Sequence, residues 1–155
     1  MLPISFMAIP RMINRDRTGE YRHFVMQKQL VEKYFPCFRC TIRHNVLECV
    51  GAIVPSEQCD CYQIGIRYRH EGIPEVRVRR PDIKQKVHMY RNGTLCLYDY
   101  REQPWSTWDN IHEKIIPWTA EWLVFYELYL QCGKWLGPEA PHGAEEKQPE
   151  RSLAA

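Results

Sequence analysis

The chain has 155 residues, of which 45% are apolar and 26% are charged, and its net charge is +2. This length suits one domain with an ordinary core, and the balanced charge gives no reason to expect a nucleic-acid or membrane partner. No apolar run is long enough to cross a bilayer, and the N-terminal stretch lacks the basic residues of a secretory signal. We therefore expect a cytoplasmic protein. We also expect neither a cofactor nor a bound metal, although a zinc alternative is considered below.

The first half of the chain predicts a helix followed by an antiparallel sheet. Residues 13–21 are polar and unpatterned, so residues 1–20 are interpreted as an N-terminal extension. From Tyr21 onward, apolar residues recur at the spacing of an amphipathic helix that ends before Pro36. Short segments with the alternation of half-buried strands follow it. They span residues 38–44, 46–54, 62–69 and 74–79.

The second half predicts a long loop and two helices. Regular patterning stops after Pro81, and a long loop in a small domain is often functional. A helix is predicted to begin near Asp109, and Pro117 is well placed to open another. This second helix is apolar over much of its circumference, which predicts a central buried element. Gly133 is expected to end it.

The long loop contains one candidate reactive group, Cys96, which lies between two leucines and follows the turn pair Asn92-Gly93. A thiolate can carry an acyl group, because it is a good nucleophile and its thioester is attacked more readily than an amide. His88 could order the loop through hydrogen bonds, or could lower the thiol pKa as a nearby cation. Taken alone, these residues favour a buried structural cysteine beside a loop-stabilising histidine.

Two longer motifs in the second half of the chain resemble those of known protein families. The string Asn92-Gly93-Thr94-Leu95-Cys96-Leu97 resembles the active-site string of ubiquitin-conjugating enzymes. The pattern from His88 through Tyr90 to Tyr98, together with the Trp- and Glu-containing patterns over 117–127 and 133–137, more closely resembles one bacterial branch. That branch comprises the ubiquitin-conjugating-enzyme-like proteins of CBASS (cyclic-oligonucleotide-based antiphage signalling), in their short stand-alone form.

The resemblance implies an α+β fold with an antiparallel four-stranded sheet flanked by helices. It covers roughly residues 20–135. We place the domain at residues 21–142. The polar residues 143–155 predict a disordered tail.

The resemblance also implies a cysteine-dependent acyltransferase. Cys96 would form a thioester with the C-terminal glycine of a cGAS- or DncV-like nucleotidyltransferase and would transfer or hold it, which primes second-messenger synthesis. Lysines of target proteins are candidate acceptors. His88 matches the loop histidine of ubiquitin-conjugating enzymes. Those enzymes carry an oxyanion-stabilising asparagine two residues after that histidine, whereas this chain carries Tyr90. Tyr90, Asn92 or a backbone N–H could replace the amide, or the thioester itself could be the long-lived product.

Partner binding is predicted for two groups of residues besides Tyr90. Arg67 and Arg69 share the polar face of a strand, which could dock an acidic partner, contact phosphates, or simply be solvated. Trp105 and Trp108 follow Cys96 in the loop and could line a pocket for the partner's tail, or could anchor the loop.

Two other functions remain open at this point: a non-catalytic binding module of the same fold, and a small zinc protein. Four cysteines have a spacing that could close a tetrahedral zinc site, although free cysteines are often small apolar fillers. They are Cys37, Cys40, Cys59 and Cys61. The odd total of seven cysteines argues against a disulfide framework. Cys132 could be a second reactive thiol that traps Cys96 as a disulfide.

Overall fold

A computed structural model describes residues 8–99 and 101–138, with side chains from residue 18 onward. The elements are α1 (Ala8–Tyr34), β1 (Arg39–Arg43), β2 (Val46–Ile53), β3 (Tyr62–Arg69), β4 (Glu75–Arg80), a π-helix (Ile111–Ile115) and α2 (Ile116–Cys132). The strands form one antiparallel sheet in the order β1-β2-β3-β4. The predicted α+β fold is confirmed, whereas the predicted tail over 143–155 lies outside the described residues.

The alternation of β3 explains why the sheet has one buried face. Its apolar residues Tyr62, Ile64, Ile66 and Tyr68 are each at most 2% exposed, and the intervening Arg67 is exposed. A strand places successive side chains on opposite faces, so this pattern fixes which face meets the core.

Helix α1 begins at Ala8, earlier than the predicted start at Tyr21, and ends at Tyr34, before Pro36 as predicted. A mostly polar helical segment gives no apolar periodicity, so the sequence pattern revealed only the part of α1 that packs on the core. That part is marked by the fully buried Phe24 and Val31.

The predicted helices near Asp109 and Pro117 form one run, because the π-helix continues directly into α2. Pro117 lies in the first turn of α2, and Gly133 ends it with a left-handed φ of 72°. The prediction of a central buried helix is wrong, since α2 buries one face and exposes the other. The exposed large apolar side chains of α2 are Val124, Leu128 and Leu130.

Two buried contacts fix the start of the π-helix and the segment between α1 and β1. Gln27 of α1 is fully buried and accepts a hydrogen bond from the Ile111 N–H at 3.0 Å, which holds the start of the π-helix. Phe38 is fully buried beside Gly51 of β2, and a Cβ atom at Gly51 would overlap its ring, since even the third-nearest ring atom would be 2.7 Å away. In the described ranges, neither helix is long and apolar enough to cross a bilayer.

Candidate active site

Cys96 lies at the end of a tight turn that the backbone closes as a short antiparallel ladder. The Cys96 N–H donates to the His88 carbonyl at 2.9 Å, and the Tyr90 N–H donates to the Thr94 carbonyl at 2.8 Å. His88 and Cys96 are therefore the two residues at which this turn closes, which explains their separation of eight positions in the sequence.

The register of the ladder determines which side chains lie on the same face. Met89 and Leu95 form a β-bridge. Leu95 is 4% exposed and belongs to the core, and Met89 packs against the core. Because side chains alternate across a ladder, Tyr90 and Cys96 share the other face as diagonal neighbours. The Leu95 N–H donates to the Val76 carbonyl at 2.9 Å, which attaches the turn to the edge of the sheet.

The Asn92-Gly93 pair forms the tip of the turn. Gly93 has a φ of 84°, the left-handed region that glycine tolerates. The Asn92 side-chain oxygen accepts hydrogen bonds from the Thr94 N–H at 3.1 Å and from the Thr94 hydroxyl at 2.6 Å. The Arg77 guanidinium donates to the Asn92 carbonyl. Asn92 therefore holds the turn together.

His88 contacts three groups that order this loop. Its backbone has a φ of 47°, an uncommon conformation for a residue with a side chain. Its carbonyl accepts from the Cys96 N–H and also from the indole N–H of Trp122 at 3.1 Å. Its ring stacks on Trp135 with the centroids 4.4 Å apart. These contacts correspond to the first of the two roles considered for His88, ordering of the loop.

Cys96 borders a cavity of about 280 Å³. One wall is aromatic and comes from α2 and the segment after Gly133, namely Trp118, Trp122, Phe125 and Trp135. Three carboxylates also line the cavity, from Asp99, Glu102 and Glu121. Aromatic side chains together with polar groups are common in the lining of a ligand site. The sequence showed the aromatic stripe of α2 but gave no sign that it faces the cysteine.

The electrostatic surroundings keep the Cys96 thiol neutral. The side chain is 8% exposed, and burial raises its pKa, because a thiolate loses its hydration there. A hydrogen bond from the Tyr90 hydroxyl acts in the opposite direction, and the nearby Asp99 carboxylate adds to the rise. At neutral pH the resting form is therefore the thiol.

We expect this raised pKa to appear in the alkylation of Cys96. The rate of reaction with iodoacetamide should rise with pH and reach half its maximum at a higher pH in the folded chain than in the chain unfolded by urea, because only the thiolate reacts. Peptide mass mapping would follow Cys96 separately from the other cysteines. A folded-state midpoint equal to or below the unfolded one would contradict this prediction.

The two loop tryptophans do not line the cavity. Trp105 is half-buried against Tyr68, and its indole nitrogen lies 3.4 Å from the Tyr68 hydroxyl. Trp108 is 91% exposed on a turn held by hydrogen bonds of Ser106 and Asp109. Trp105 thus anchors the loop, whereas partner binding by either residue stays a prediction.

The predicted basic face lies on the outer side of the sheet. Arg67 and Arg69 are exposed there, and the guanidinium of Arg67 lies 3.7 Å from the Glu48 carboxylate, with both side chains more than half exposed. A pair of this kind contributes little to stability. Docking of a partner on this face also stays a prediction.

The four cysteines of the zinc hypothesis are not brought together. Cys40 faces Cys49 across β1 and β2, and their thiols are in contact. Cys49 is not one of the four, and its hydrogen bond with Cys40, followed by burial, raises its pKa. Among the described residues, no group of three or more metal-ligating side chains occurs.

Cys132 is exposed and donates to the Lys134 carbonyl at 3.3 Å.

Comparison with known proteins gives one family. The family model E2-CBASS, described as type II CBASS E2 protein, matches residues 27–143. This range includes the cysteine turn, the aromatic wall and the whole sheet. The comparison with curated proteins finds no match.

Proposed function

Because the chain belongs to the family of type II CBASS E2 proteins, we propose that Cys96 is its acyl-carrying residue. It forms a thioester with the C-terminal glycine of a cGAS- or DncV-like nucleotidyltransferase and holds or transfers it in the cytoplasm, which primes antiphage second-messenger synthesis. The observation that carries this proposal is the position of Cys96, on a rigid turn at the border of an aromatic cavity.

The raised pKa of Cys96 favours holding over rapid transfer. A thiol with a higher pKa leaves more slowly when its thioester is attacked. Burial raises the Cys96 pKa, which makes its thiolate a poorer leaving group than that of an exposed cysteine. The burial of the side chain also limits the approach of water. Both properties suit a conjugate that persists while the partner is active.

The cavity favours a cationic acceptor when transfer occurs. Asp99, Glu102 and Glu121 are among the residues that line it, and the Asp99 carboxylate lies near Cys96. Carboxylates attract an ammonium group. A lysine that enters as an ammonium must lose a proton before its nitrogen attacks the thioester. We therefore propose lysine amines as acceptors.

A binding module is the second candidate, because one observation favours it. A buried, neutral thiol is also what a structural cysteine looks like. In that case the aromatic cavity would bind the partner's tail without a covalent bond. The two candidates differ in a single measurable property, the mass of the complex under denaturing conditions.

The test is an intact-mass spectrum of the chain co-expressed with the nucleotidyltransferase encoded beside it. We expect an adduct equal to both chains minus one water, cleaved by hydroxylamine. Cys96→Ala should abolish it, and Cys96→Ser should replace it with an oxyester that hydroxylamine cleaves more slowly. A complex that forms natively but gives no adduct would identify the binding module.

Two controls make this test specific. Cys132→Ala removes an exposed thiol at the end of α2 and should leave the adduct unchanged. A nucleotidyltransferase that lacks its C-terminal glycine should give no adduct. If Cys132→Ala abolished the adduct and Cys96→Ala did not, the thioester would be on Cys132 and the assignment to Cys96 would be wrong.

A further inference from the structure

The geometry of the turn brings a hydrogen-bond donor to the reacting sulfur. The Met89–Leu95 bridge and the Cys96 N–H to His88 bond place Tyr90 and Cys96 on the same face of the ladder, and the Tyr90 hydroxyl forms a hydrogen bond with the Cys96 thiol. Attack on a thioester converts its carbonyl oxygen into an oxyanion, and this oxygen is bonded to the carbon that the sulfur carries. A donor that reaches the sulfur is therefore within reach of the oxyanion.

Several other donors of the turn are engaged elsewhere. The Leu95 N–H donates to Val76 and the Cys96 N–H donates to His88. The Thr94 N–H and hydroxyl both donate to the side-chain oxygen of Asn92, so Asn92 uses its side chain to close the turn.

Tyr98 is a further phenol near the cysteine, but it does not share this contact. Its ring borders the cavity, and its buried hydroxyl has no hydrogen-bond partner within the described part of the chain. It therefore makes no hydrogen bond to the Cys96 sulfur. Between these two phenols, the hydrogen bond with the sulfur belongs to Tyr90.

We infer that Tyr90 is a catalytic residue that stabilises the oxyanion during both loading and discharge of Cys96, an inference that rests on the proposed function. In discharge, the amine lone pair forms the C–N bond and the carbonyl π electrons move to oxygen, where the Tyr90 O–H donates. Collapse restores the carbonyl and breaks the C–S bond, whose electron pair leaves on sulfur. The amine proton goes to solvent, and the thiolate takes up a proton.

The test uses a synthetic donor, a glycine-terminated peptide thioester of mercaptoethanesulfonate, so that it does not depend on the natural partner. The other accessible thiols, Cys37, Cys59, Cys61 and Cys132, are replaced by serine. Thiol exchange loads Cys96, and excess mercaptoethanesulfonate unloads it through the same transition state. For Tyr90→Phe we expect both rates to fall roughly a hundred- to a thousandfold, with the equilibrium loading changed far less.

A second variant separates hydrogen bonding from packing. Tyr90→Asn restores a short N–H donor but removes the ring, so we expect its rates to exceed those of Tyr90→Phe. A purely structural role of the ring predicts the opposite order and would overturn the inference. Tyr34→Phe is the matched control, because Tyr34 is 55% exposed on α1 and its ring contact with His112 does not use the hydroxyl.

A measurement without any thioester keeps this inference distinct from the proposed function. Loss of the Tyr90 hydroxyl removes a hydrogen bond that stabilises the thiolate, so the pH midpoint of Cys96 alkylation should move upward in Tyr90→Phe and stay unchanged in Tyr34→Phe. An unchanged midpoint in Tyr90→Phe would refute the Tyr90 contact. A shifted midpoint together with no partner adduct in cells would refute the proposed function alone.

Discussion

Gly51→Ala will lower the free energy of unfolding by about 3 kcal/mol, the upper end of the range for overpacked cores. The added methyl group would overlap the ring of Phe38. This ring has little room to move, because it is fully buried and packs edge-on against Phe35 with centroids 6.2 Å apart. Urea denaturation followed by circular dichroism would measure the loss.

Gly65→Ala is the matched control for this substitution. Gly65 lies on the neighbouring strand β3 and pairs with Val50 of β2. A methyl group there would meet the side chain of Arg79 at 3.1 Å, and a flexible exposed side chain can move away. We expect a change of less than about 1 kcal/mol. Equal losses in the two variants would show that overlap with the Phe38 ring does not set the cost.

Trp122→Ala will cost about 4 kcal/mol in unfolding free energy, as expected for a large aromatic residue removed from a core. Trp122 is 3% exposed and stacks on Tyr126 with centroids 5.1 Å apart. Its indole N–H also holds the His88 carbonyl. The substitution therefore removes part of the core and one anchor of the cysteine turn together.

Trp122→Phe separates these two contributions. It retains an aromatic ring but loses the indole N–H, so most of the stability should remain. The turn should nevertheless open more often, which hydrogen exchange of the Cys96 amide would detect as faster exchange. Val124→Ala, at an exposed position on the same helix, should change neither quantity by much. Unchanged exchange in Trp122→Phe would show that the indole bond does not restrain the turn.

The sheet and the cysteine turn were predictable because local sequence determines them. Period-two alternation identified β3 with its observed bounds, Tyr62–Arg69. The Asn92-Gly93 pair predicted the tight turn, since glycine accepts the left-handed conformation found there. In both places a short segment contains all the information that its backbone conformation requires.

The walls of the cavity were not predictable, because they depend on how distant segments pack. The stripe of Trp118, Trp122 and Phe125 indicated a helix face without indicating what it faces. Trp135, which stacks on His88, follows the left-handed Gly133 that ends α2. The Tyr90 contact with Cys96 likewise depends on the ladder register, which sequence spacing alone leaves open. The predicted start of α1 at Tyr21 was too late for another reason: the preceding helical segment is polar and has no apolar stripe.

The burial of Cys96 has a consequence for survival of the protein under oxidative stress. Peroxides attack thiolates to give sulfenic acids, and susceptibility follows thiolate character and exposure. Cys96 is buried and neutral at rest, whereas Cys37, Cys61 and Cys132 are exposed. Oxidants therefore meet these outer cysteines first. Cys96 is therefore expected to be oxidised more slowly than these surface thiols.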